Sequence, residues 1–152
     1  MALLKSTQVT RRDPIMTGDR ASSLVVSFAD YVLTGSEVQN DVIEMLGLPA
    51  GHVPVDLILD AQDCGTTFTV DCGVLSGAYL DTGARTCGAE FMNDKALGTA
   101  GIYRLDVVGG NKVAPSTTNR SIGFKVDAAV AALTAGATLR LTLLCRPAVE
   151  GA

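Results

Sequence analysis

The sequence predicts an all-β chain: a jelly-roll-like antiparallel β-sandwich of seven to eight strands with an extended N-terminal arm. Three observations predict it. The first is the alternation within His52–Val74, where Val55, Leu57 and Leu59 interleave with Asp56, Ile58 and Asp60, and Phe68, Val70, Cys72 and Val74 with Thr67, Thr69 and Asp71. A period of two sends one row to a core and the other to water. The second is the regular spacing of turn residues, at Gly35-Ser36, Pro49–Gly51, Asp63–Gly65 and Gly109–Asn111. The third is composition. With 47% hydrophobic and 18% charged residues in a 152-residue chain, disorder is excluded and one buried core is expected. The absence of Trp excludes an immunoglobulin-type Cys…Trp…Cys core, and the strand number with long loops suits a jelly roll better.

Residues 1–20, broken by Pro14 and Gly18, read as the extended arm; residues 21–147 are the sandwich and 148–152 a loose tail. The arm carries Lys5, Arg11, Arg12 and Arg20 against Asp13 and Asp19, a net +2, which leaves −6 on the rest of a chain whose total is −4. A basic arm on an acidic body is a binding-tail pattern. Ser22–Leu33 is the first strand of the body, rich in β-branched and aromatic residues, and Asp41–Leu48 is the second. Pro49–Gly51 turns the chain into the pair built from His52–Val74, read as two antiparallel strands around the Ala61–Gly65 corner. Gly77–Gly101 is a glycine-rich excursion of the kind used for contacts. Within it Asn93 is positioned to cap helical turns over Asp94–Leu97, ended by Gly98. Ile102–Val108 and Arg120–Val126 are strands, the latter with Ile122, Phe124 and Val126 inward. Asp127–Gly136 is an alanine-rich loop or brief helix. Thr138–Arg146 closes the body with Leu139, Leu141, Leu143 and Cys145 inward.

No residue chemistry announces a reaction. His52 is the single histidine; it reads as a surface residue at a turn, and no Gly-x-Ser/Cys-x-Gly elbow accompanies it. If the central strands pair around the corner, Asp60 or Asp63 approaches Asp71 and offers a carboxylate pair for calcium or a sugar. Asp56 and Asp60, however, lie on the polar face of a strand. The cysteines Cys64, Cys72, Cys87 and Cys145 show no CxxC spacing, and reduced thiols are expected. The glycines form no phosphate loop, so no cofactor is expected. The acidic body disfavours direct nucleic-acid binding, and no apolar run reaches the ~18–20 residues of a membrane span. More telling are apolar residues on faces that should be polar. Ile58 and Leu144 lie on the outer side of their strands, and Val26, Phe28 and Val32 make the first strand apolar on both faces. Such a strand is covered on both faces, here by the chain's own loops or arm, or by a second subunit or a larger assembly.

From these residues a resemblance follows. A basic arm precedes a β-strand, then come LPAGHVPVDLILDAQD and TTFTVDCGVL, a glycine-rich middle, RSIGFKVDAA and a closing TLRLTLLCR. The pattern is similar to the head cement or decoration proteins of tailed bacteriophages. The resemblance implies a symmetric oligomer, dimer or trimer, on the exterior of the virion shell, made in the host cytoplasm and bridging neighbouring major capsid proteins. Lys5, Arg11, Arg12, Arg20, Val26, Phe28, Val32, Ile58 and Leu144 are then the expected contacts with capsid or self. The alternative is a sugar- or calcium-dependent binding module of a tail or host-recognition apparatus.

Overall fold

The structure, a computed structural model, describes residues 3–6, 10, 24–128 and 133–148. These contain nine strands: β1 (Leu3–Lys5), β2 (Val25–Val32), β3 (Val42–Leu48), β4 (His52–Ala61), β5 (Thr69–Val74), β6 (Met92–Ala96), β7 (Gly101–Arg104), β8 (Arg120–Val126) and β9 (Thr138–Pro147). One sheet runs β1-β3-β8-β5-β6 and the other β2-β9-β4-β7. The pairings are nested: β2 with β9, β3 with β8, β4 with β7, and β5 with β6, all antiparallel. That is one long four-deep hairpin. It rolls up through two further antiparallel pairings, β4 with β9 and β5 with β8, which is the jelly-roll plan.

The core lies between the sheets and is filled by the inward rows of the sequence. Leu139, Leu141, Leu143 and Cys145 of β9 face Ile122, Phe124 and Val126 of β8, and Phe68, Phe91 and Phe124 supply the bulk that tryptophan does not. Full burial of each such side chain stabilises by roughly 1.5–3 kcal/mol.

Five local expectations are corrected. The central alternating runs are not hairpin partners: β4 and β5 lie in opposite sheets. The corner between them carries the chain over the end of the core, closed by Cys64 N–H to Leu97 O at 2.9 Å and Phe68 N–H to Gly65 O at 3.1 Å, with Cys64 and Phe68 buried as plugs. Val55 points outward because the β4–β9 register shifts between Pro54 and Asp56; such a bulge restarts the alternation. Asp94–Leu97 is not helical. The open edge of β5 takes Met92–Ala96 as a strand, and ladder bonds outweigh a local cap. The Ile102–Val108 strand ends at Arg104, where Asp106 and Val107 turn their amides to Phe91 O. Finally, Leu3–Lys5 of the expected arm pairs parallel with β3, and Ser6 Oγ donates to Met45 O at 2.7 Å.

Candidate interaction face

The sandwich has two outer faces, and the chain treats them differently. Outside the first sheet, the segment from Leu75 to Phe91 lies down as a roof. Gly73 and Gly123 are direct neighbours on β5 and β8 and make room for it. A Cβ on Gly73 would stand 2.2 Å from Gly88 O, and one on Gly123 2.9 Å from a Leu75 methyl carbon. Beneath the roof Arg85, 2% exposed, reaches Glu44, 0% exposed, with Nη1 to Oε1 at 2.6 Å. Ser121 Oγ donates to the same carboxylate, and Arg85 Nε donates to Ser76 O at 2.6 Å. Such partners offset much of the cost of burying a charge pair, although Arg85 Nη2 and Glu44 Oε2 are buried without a hydrogen bond among the described residues.

Further along this sheet Asp71, Asp94 and Asp127 bring carboxylate oxygens within 4.8 Å of one another. Lys125 Nζ already occupies the cluster, 2.7 Å from Asp71 and 3.0 Å from Asp127. Hydrogen bonds from Lys125 hold the Asp127 carboxyl below the usual range, while its hydrogen bond with Asp127 raises that of Asp94. Asp60 and Asp63 take no part. They sit on β4 and on the corner, where Asp63 Oδ1 accepts from Gly65 N–H at 3.0 Å. The expected Asp60/Asp63–Asp71 pair does not form.

The outer face of the second sheet has no roof among the described residues. Direct cross-strand neighbours set its rows: Val26–Leu144–Asp56, then Phe28–Thr142–Ile58–Arg104, then Asp30–Arg140–Asp60–Ile102. Val26 is 51% exposed, Phe28 58%, Val32 53% and Ile102 70%. Charges on this face are mostly answered on it. Arg140 clasps Asp30 with two bonds of 2.7 Å and lies 5.2 Å from the Phe28 ring centre. Arg104 is bonded to Asp56. The Arg140 bonds lower the Asp30 pKa. The face thus offers apolar patches between neutralised pairs, the composition of a contact surface rather than a ligand cleft.

Of the residues singled out by sequence, Val26, Phe28, Val32, Ile58 and Leu144 converge on this face. Lys5 lies apart, on the first sheet, with Nζ 3.8 Å from Glu44 Oε2. Arg11, Arg12 and Arg20 fall outside the described residues. Sequence reasoning missed Ile102, Arg104 and Arg140. The signal was the alternation in Gly101–Arg104 and Leu139–Cys145, which becomes a face once both strands are known to flank β4. His52 is buried rather than on the surface, with Nδ1 2.9 Å from Ala50 O. All four cysteines are free. Burial pushes the thiols up, to about 11 for Cys64 and Cys145 and to about 12 for Cys87, so none is a poised nucleophile. No described helix is long and apolar enough to cross a membrane.

No protein-family model and no curated protein matches the chain. Solved structures do. A chain in the capsid of Ralstonia phage GP4 is 30% identical with a TM-score of 0.90, over 97% of this chain and 99% of that one. A chain in the capsid asymmetric unit of cyanophage Pam1 is 15% identical, TM-score 0.63, over 91% and 96%. One in the acid-stable capsid of Helicobacter pylori bacteriophage KHP30 is 15% identical, TM-score 0.50, over 84% and 90%. The last two share the fold.

Proposed function

The chain belongs to the family of phage head structural proteins represented in the Ralstonia phage GP4 capsid, and from that premise we propose that it is a decoration protein. It binds the outside of the assembled shell, bridges neighbouring major capsid proteins and holds them together against the pressure of packaged DNA. The observation that carries this reading is the bare face of the second sheet, with Val26, Phe28 and Val32 all more than half exposed and Arg104 and Arg140 tied up in pairs. A face of that kind gains by being covered and costs little in stranded charge when it is. A contact of ordinary size, about 1,600 Å², draws its affinity from a few anchors rather than from its area. Phe28 and Ile58, which flank Thr142 in one row across the sheet, are the central anchors.

The basic stretch plays a second part. Leu3–Ser6 is committed to the chain's own sheet, so the tether to the shell is residues 7–20, with Arg11, Arg12 and Arg20 as its charges. Many copies, each adding a few kcal/mol of interface, stabilise a particle without catalysis.

The test is direct. Heads lacking this protein are mixed with the purified chain and pelleted. The wild type binds to saturation at a fixed ratio to coat subunits and raises the temperature at which heads rupture. Phe28→Asp and Ile58→Asp weaken binding by about tenfold or more. Failure of the wild type to bind finished heads, or its closure into shells by itself, overturns the reading.

A further inference from the structure

Among the described residues, the strands of the second sheet turn Asp30, Asp56, Asp60, Arg104, Arg140 and Arg146 to its outer face. Their charges sum to zero, and two pairs are closed, Arg140 with Asp30 and Arg104 with Asp56. Asp60 and Arg146 are left over. Both are exposed, and neither forms an ion pair among the described residues; Arg146 Nη1 donates to Pro147 O at 3.2 Å. Asp60 stands beside Arg140 across the sheet, but Arg140 gives its two bonds to Asp30 and acts on Asp60 through charge alone. At Asp60 a hollow of about 150 Å³ opens, lined also by Gln62, Thr138 and Arg140. Arg146 lies six residues beyond Arg140 along β9, which puts it about 20 Å from Asp60 at the rise of a strand. The rows Phe28–Thr142–Ile58 and Val26–Leu144 lie between them. The face is therefore negative at one end, positive at the other and largely apolar in the middle.

We propose that this polarity sets the direction in which a coat subunit of the shell lies against the face. A lysine or arginine of the coat surface enters the hollow at Asp60, a coat carboxylate meets Arg146, and apolar coat side chains cover Val26, Phe28 and Ile58 between them. The proposal deepens the decoration reading by naming the chemistry of the partner, and it rests on that reading. Apolar contact by itself is non-directional, so a greasy patch alone would let the partner slide or turn. Two unpaired charges of opposite sign fix the register, and a coat surface turned end for end would bring like charges together at both sites. The closed pairs do not serve this purpose, because each already answers its own charge. The hollow suits a long basic side chain. Asp60 supplies the counter-charge, and Thr138 Oγ1 and Gln62 Oε1 are further acceptors; the latter also accepts from Thr138 N–H at 2.9 Å and keeps a second lone pair.

Binding of the full chain to undecorated heads, measured at low and high salt, tests this. Asp60→Asn and Arg146→Gln each weaken binding about threefold at low salt and lessen its salt dependence. The double variant Asp60→Lys with Arg146→Glu keeps the net charge and every apolar side chain but reverses the polarity, and it weakens binding by about thirtyfold or more. Asp81→Asn removes the same charge as Asp60→Asn from the roof of the other sheet, where Asp81 is exposed, and leaves binding unchanged. Both target side chains are exposed, so all these variants melt within about 2 °C of the wild type. The inference is overturned if the reversed variant binds like the wild type, or if Asp81→Asn weakens binding as much as Asp60→Asn, since net charge alone would then be felt. It is also overturned if reversal alters the sedimentation of the free chain and not its binding to heads, which would put a second copy on this face. Heads that ignore the wild type sink the decoration reading and this inference with it; heads that bind wild type and reversed variant alike sink this inference alone.

Discussion

The two outer faces of the sandwich begin from the same alternating pattern and end in opposite states. On the first sheet the outward row is Asp71, Gly73, Ser121, Gly123 and Glu44, polar or absent as side chains, yet Glu44, Ser121 and Asp71 are buried. On the second sheet it includes Val26, Phe28, Val32 and Ile102, and these are exposed. Polarity along a strand therefore does not say which face meets water. What decides is whether a later segment has room to lie down. Gly73 and Gly123 make that room, and Arg85 brings a charge to answer Glu44. The second sheet has no such glycine pair facing out, and among the described residues its apolar row stays exposed.

The sharpest way to break this comparison is to remove the charge under the roof. Arg85→Met leaves the buried Glu44 with only the more distant Lys5 Nζ, 3.8 Å from Oε2, and the expected loss is about 3 kcal/mol in urea unfolding. Adding Glu44→Leu to the same chain returns most of that, because an apolar pair of similar volume needs no counter-ion. If Arg85→Met costs under ~1 kcal/mol, the roof is not held by this pair.

The thiols probe the same roof without mutation. Cys87 lies in the segment that covers the sheet, bridged to Leu75, and burial above all pushes its pKa up to about 12. At pH 8 its reaction with a disulfide reagent should run about a hundredfold or more below that of an exposed thiol. As urea rises, Cys87 should label before Cys72, which is wholly inside the core. Simultaneous labelling would mean that roof and core open together.

A smaller effect is expected where the roofed and bare sheets are linked. Glu37, between β2 and β3, accepts from Thr34 N–H at 2.8 Å, from Gly35 N–H at 3.0 Å and from Tyr31 Oη–H at 2.9 Å. Burial pushes its pKa up, but these donors outweigh it and the net shift is down. A carboxyl lowered on folding stabilises above its unfolded pKa, about 4.3, and that contribution is lost as pH falls through the lower folded value. Glu37→Gln should therefore cost about 1 kcal/mol at pH 7 and flatten the acid limb of Tm against pH. An unchanged acid limb would show that the link is carried by the backbone.

How much of this was legible is best seen strand by strand. β8 and β9 were readable nearly to the residue, because Arg120–Val126 and Thr138–Arg146 alternate without interruption and local pattern coincides with tertiary placement. The apolar outer residues were readable too, since Val26, Phe28 and Val32 break the polarity a solvated face requires. The partnership of β4 and β5 was not. Alternation gives a strand its faces but not its sheet, and a corner such as Ala61–Gly65 looks the same whether the chain turns back beside itself or crosses the core. β6 was lost for a related reason: Asn93 has the chemistry of a helix cap, and the β5 edge that overrules it lies about twenty residues earlier. The Arg85–Glu44 pair, 41 positions apart, left no local trace, because nothing near either residue marks it as buried.

The smallest expected effect is the one that tells most about function. Val26 is half exposed and packs beside Leu144 and the edge of β2. In the isolated chain Val26→Ser removes little buried area, so unfolding should shift by about 0.5 kcal/mol or less. On heads the same substitution places a hydroxyl where an apolar neighbour is expected, and binding should weaken several-fold, by about 1 kcal/mol. The ratio of the two effects carries the argument. A residue of the core loses stability first and binding only as a consequence, whereas a residue kept for a partner loses binding while the fold stays intact. If Val26→Ser destabilises the free chain by as much as it weakens binding, this row is covered by the chain itself, and the contrast between the two faces disappears.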